Sequence, residues 1–70
     1  MQRKAYIALY FPSGIEQILY TDTFWSPEIS AKFDRLINMR HKLQKGHYIQ
    51  AWYSDATQVE CMGIIRHVSA

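Results

Sequence analysis

Few side chains in this chain are able to do covalent or metal chemistry: Cys61, the histidines His41, His47 and His67, and six carboxylates. A thiolate grouped with imidazoles can hold zinc, but zinc sites draw their ligands from closely and regularly spaced pairs. The spacings here follow no such pattern, and His41 falls toward the polar side of a helical segment. The carboxylates are scattered singly, so no acid/base pair is evident. The serines occupy capping, turn or terminal positions, and Gly14, Gly46 and Gly63 are too dispersed to cradle a phosphate. No catalytic residue, metal ligand or cofactor is expected, and the chain reads as a non-enzyme.

What remains is the chemistry of recognition. Ten of the 70 residues are Tyr, Phe or Trp, and they lie mostly in short alternating runs. Tyr and Trp combine a large apolar ring with a polar tip, which suits them to interfaces. A second constellation is basic. Five basic and two acidic residues fall between Pro27 and Gly46, against three and four elsewhere. On a helical wheel Arg35, Asn38, Lys42 and Lys45 form a ridge opposite the apolar stripe, able to meet phosphates or an acidic protein surface. Arg40 falls within the stripe, where its stem is expected to pack at the core edge while the guanidinium reaches water. Its alternative partners are Glu60 or Glu16.

The elements that would position these residues follow from periodicity. Residues 4–11 alternate Ala5, Ile7, Leu9 and Phe11 against Tyr6, Ala8 and Tyr10, a strand with two apolar faces. Pro12-Ser13-Gly14 supplies turn chemistry, and residues 15–21 read as the return strand, Ile18 and Tyr20 on one side, Ile15 and Leu19 on the other. Phe24 and Trp25 are expected to anchor the connector to the core. Ser26 as N-cap, Pro27 at the first position and Glu28 near the positive end of the dipole announce a helix. Ile29, Phe33, Leu36, Ile37 and Leu43 carry its stripe to about residue 45, with Gly46 as a left-handed cap. The period then returns to two: Tyr48, Gln50 and Trp52 face one way, His47, Ile49, Ala51 and Tyr53 the other. After a turn at residues 54–57, a last strand spans 58–68, with Gly63 a bulge or close approach.

The fold class implied is α+β: a small, mostly antiparallel four-stranded sheet in the order of elements ββαββ, with one helix on one face. Residues 1–70 make one domain, without linker, repeat or second domain. At 49% apolar and 20% charged the composition is globular. A chain this short with one cysteine has no internal disulfide to steady it, so homodimerisation is the expected support. Cys61 lies in an apolar stretch and reads as a buried thiol of a reducing compartment, placing the protein in the cytoplasm. Arg3-Lys4 before an apolar run resembles a signal start. That run stops at Pro12 with no cleavage site, and no segment is long enough to cross a bilayer.

One helix covers only part of such a sheet. With Ala5, Ile7, Leu9 and Phe11 beneath it, Tyr6 and Tyr10 point away, beside Tyr48 and Trp52. The reading that follows is a protein-binding module, most simply a homodimer, pairing by this aromatic face or by a strand edge. Size and architecture alone suggest the analogy of a phage or mobile-element accessory factor that docks on a larger protein and inhibits it. The alternative is a single-stranded nucleic-acid binder that stacks bases on the sheet aromatics and tracks phosphates with the basic ridge. It is disfavoured, because the ridge lies on the helix's outer side, the net charge is only +2, and no glycine-aromatic signature of sheet-face RNA modules is present.

Overall fold

A computed structural model describes residues 4–54 and 57–67. Residues 55–56 of the expected turn and Val68 of the expected last strand lie outside these. Strands β1 (Lys4–Tyr10), β2 (Glu16–Asp22), β3 (Tyr48–Ser54) and β4 (Val59–Arg66) form one sheet in the order β2-β1-β3-β4, and every neighbouring pair is antiparallel. Because β1 runs against both β2 and β3, those two point the same way on either side of it. Their connection must cross the sheet, and helix α1 (Pro27–Asn38) makes that crossing on one face. The sequence-derived fold class stands.

The turn after β1 is closed by the Gly14 N–H donating to the Phe11 carbonyl at 2.9 Å, with Gly14 at φ +92°. At the start of α1 the Ser26 hydroxyl accepts the Ile29 N–H at 3.2 Å and donates to Asp22 Oδ2 at 2.7 Å, tying the helix to the end of β2. These bonds, Ser26's first and that of the Thr23 N–H next, hold the Asp22 carboxyl below its ordinary range. A lowered carboxylate stabilises the fold at pH above its ordinary value, and that contribution is lost as pH falls through the lowered one. Ser26→Ala is expected to cost about 1 kcal/mol. It should also flatten the acid limb of stability, measured by urea unfolding as pH is lowered.

The core lies between α1 and one sheet face. Ala5 and Ile7 of β1, Ile49 and Ala51 of β3 and Ile65 of β4 meet Ile29 and Phe33 of the helix. Trp25 packs edge-to-face on Phe33, 6.0 Å between centroids. Phe24, expected as a second anchor, is instead exposed, because the chain turns at Ser26 with Phe24 on the solvent side.

Four expectations need correcting. The helix stops at Asn38 rather than near residue 45. Where the stripe should continue after Leu36 and Ile37, the chain offers Arg40 and His41, which resist burial, so the chain tightens into a 3-10 turn at Arg40–Lys42. Arg40 is therefore exposed, its Nη1 donating to the Ile37 carbonyl at 2.8 Å rather than snorkelling from the core edge or pairing with Glu60 or Glu16. Gly46 does take positive φ, +82°, but in the turn that enters β3 rather than as the helix cap. Finally, Ile18 and Tyr20 do not share a face. Tyr20 lies opposite Ile7 and Ile18 opposite Ala8, so Leu19 is an extra, bulged residue in β2.

Candidate interaction face

The sheet face away from α1 is built in cross-strand rows fixed by the register. One row reads Thr21, Tyr6, Trp52, Cys61 from β2 to β4; the next Ile18, Ala8, Gln50, Ile64; the third Glu16, Tyr10, Tyr48, Arg66. Alternation in β1 and β3 thus puts all four sequence-predicted aromatics, Tyr6, Tyr10, Tyr48 and Trp52, together on the uncovered side. Each is half-buried.

They are paired. Tyr6 stacks on Trp52 with centroids 5.0 Å apart and planes 20° from parallel, and Tyr10 stacks on Tyr48 at 4.9 Å and 14°. Separations this near the strand spacing require the rings to overlap face against face across the strands. Ala8, between the two pairs, is fully covered by its neighbours although no helix lies above it. Ile18 is 44% exposed, Ile64 49% and Val59, at the start of β4 opposite Ser54, 73%. Large apolar side chains therefore flank the rings on both edge strands.

The third row carries charge at its ends. Tyr10 donates its hydroxyl proton to Glu16 Oε2 at 2.6 Å, and the Arg66 guanidinium lies over the Tyr48 ring, 5.2 Å from its centroid. Tyr48 is sandwiched between Tyr10 and Arg66. Burial first, then the bond to Glu16 and its charge, push the Tyr10 phenol up to about 12. The neutral phenol is the form the fold favours, so Tyr10 contributes stability below its ordinary value of 10.0, lost as pH rises toward about 12. The stability advantage of the wild type over Tyr10→Phe should accordingly shrink across that interval in alkaline urea titrations. A constant difference would contradict the Tyr10–Glu16 bond.

The basic ridge does not assemble as expected. Arg35 is on α1, Arg40 and Lys42 belong to the 3-10 turn, and Lys45 lies beyond it. All four are exposed, and the helix's early end prevents one continuous ridge. Lys45 instead joins Gly46, His47, Arg66 and His67 around a shallow depression at the start of β3 and the end of β4. His67 Nδ1 donates to the Leu43 carbonyl at 2.6 Å, and His47 packs edge-to-face on Phe11 at 5.0 Å, so both rings are held there. His47 and His67 lie on the helix side, in phase with Ile49 and Ile65, while Arg66 belongs to the open face, at the opposite end of its row from Glu16.

Sequence reasoning missed three participants. Cys61 is exposed rather than buried, because the bulge at Met62 shifts it onto the open face opposite Trp52, where its sulfur lies 3.6 Å from Gln50 Nε2. Glu16 and Arg66 have no local signal at all; only the register makes them the ends of one row. Among the described residues, no three His, Cys, Asp or Glu side chains gather as metal ligands, and no helix is long and apolar enough to cross a membrane. Comparison with protein-family models, with curated proteins and with solved structures returns no match.

Proposed function

We propose that this chain is a small protein-binding module that docks through its open sheet face and performs no catalysis of its own. The observation that carries the reading is the double aromatic stack, flanked by Ile18, Ile64 and Val59 on a face that no element among the described residues covers. The backbone measures only 15 Å along its thinnest direction, consistent with one sheet and one helix. Rings already stacked on each other present edges outward, a corrugated surface suited to a protein partner. A single-stranded nucleic acid needs free ring faces for its bases. Here Tyr48 has both faces occupied, and Arg35, Arg40 and Lys42 do not lie among the residues of this face. Acting as an accessory factor, such a module would work by occupying a site on a larger protein.

The test is affinity capture from cell extract with the wild type and with Tyr10→Ser and Trp52→Ser variants shown to remain folded. Capture should vanish with the face variants and survive Arg35→Ala and Lys42→Ala. Capture lost only with the two helix-side variants, or binding only to oligonucleotide and weakened by salt, would overturn the reading.

A further inference from the structure

Both edges of the sheet carry the same defect. β2 holds the extra residue Leu19 opposite Ile7 and Ala8 of β1, and β4 holds the extra residue Met62 opposite Ala51 and Trp52 of β3. Bulges bend and twist an edge strand and interrupt the regular row of donors and acceptors that a new strand would need. Pairing edge to edge is therefore impeded on both sides, so association through this sheet falls to its open face.

The charge on that face is arranged for a particular occupant. Its third row reads Glu16, Tyr10, Tyr48, Arg66, an acid at one edge and a base at the other, with the two rings between. Two copies of one sheet can stack face to face with aligned strands about a two-fold axis running either along the strands or across them. An axis along the strands, between β1 and β3, keeps each row opposite itself and reverses its order. Glu16 of one copy then faces Arg66 of the other, twice, and Tyr10 faces Tyr48. In the neighbouring rows Ile18 meets Ile64 and Tyr6 meets Trp52. An axis across the strands instead keeps each edge opposite itself, so Glu16 stays on the β2 edge and Arg66 on the β4 edge of both copies and the two do not meet.

The size is sufficient. Four strands of seven or eight residues make a face of roughly 19 by 23 Å in projection. Standing rings enlarge that, so two faces together bury on the order of 1,000 Å², about the minimum for a specific dimer. We infer that the partner seated on the open face is a second copy of this chain, related by a two-fold axis parallel to the strands, with Glu16 and Arg66 paired across it. This rests on the reading of that face as a protein-binding surface and names its occupant.

Charge reversal tests it. In sedimentation equilibrium, Glu16→Arg and Arg66→Glu should each weaken self-association about tenfold or more, since each places two like-charge contacts in every dimer. Mixing the two variants should restore association as a heterodimer, because every cross pair is again opposite in sign. A variant that merely disturbed its own Tyr10 or Tyr48 would not be rescued by mixing. Failure of mixing to restore association, or dimers indifferent to both reversals, overturns the geometry. A wild type that stays monomeric at high concentration overturns the second copy as occupant, while the wider reading would still stand if capture of another protein remains sensitive to Tyr10→Ser and Trp52→Ser.

Discussion

Gly63→Ala is expected to leave the protein marginally stable at room temperature, with up to about half of the molecules unfolded. The added Cβ would lie 2.8 Å from Phe33 Cζ and 2.9 Å from its Cε2, closer than carbon atoms approach without displacement. Phe33 is only 9% exposed, and its ring is held from another side by Trp25 at 74° between planes, so it has little room to retreat. Overpacking of this kind costs about 3 kcal/mol. A core of this size supplies only about 3–5 kcal/mol in total, which makes the loss decisive. The effect is one of packing, so it should be coupled to its neighbour. Gly63→Ala combined with Phe33→Leu should be more stable than the two separate costs predict, by about 1 kcal/mol or more in a double-mutant cycle. A Gly63→Ala protein within about 0.5 kcal/mol of wild type by urea unfolding would mean that α1 does not sit this close to β4.

The second large effect concerns association. Tyr10→Ser and Trp52→Ser each remove one ring of a stacked pair from the centre of the open face. Central aromatic anchors typically carry about 2 kcal/mol or more of binding, roughly a thirtyfold change in affinity. The double variant should therefore lose measurable self-association, and with it any docking that uses the same surface. Its own stability should fall less, by about 1 kcal/mol for each lost cross-strand ring pair, because the helix-side core is untouched. Light scattering and thermal unfolding on the same samples separate the two outcomes. Association retained by a folded double variant would move the interface elsewhere.

The sequence carries its local information well. Alternation in β1 and β3 assigns Ile7, Ile49 and Ala51 to one face and Tyr6, Tyr10, Tyr48 and Trp52 to the other, because each side chain's direction depends only on its immediate neighbours. Ser26-Pro27 marks the helix start for the same reason, through a cap that spans three residues. What fails is non-local. Leu19 has no glycine or proline beside it to announce a bulge, whereas Gly63, read as a bulge or close approach, does adjoin the one at Met62 and does lie close to Phe33; each extra residue flips everything beyond it. That is why Tyr20 ends under the helix while Ile18 does not, and why Cys61 is exposed. The helix end was hidden because Leu43 continues the apolar stripe in spacing although Arg40 and His41 break it in chemistry. The Glu16–Tyr10–Tyr48–Arg66 row joins residues from four strands, and no window along the chain contains it.

Cys61 offers a built-in reporter for the surface at issue, being exposed and directly opposite Trp52 in the register. Its rate of reaction with a small thiol reagent, followed from dilute to concentrated protein beside light scattering, measures whether this face becomes covered. Fast labelling of the monomer, slowing in step with the rise in mass, is the predicted result. Association that leaves the Cys61 rate unchanged, or a thiol already inert in the monomer, would contradict it.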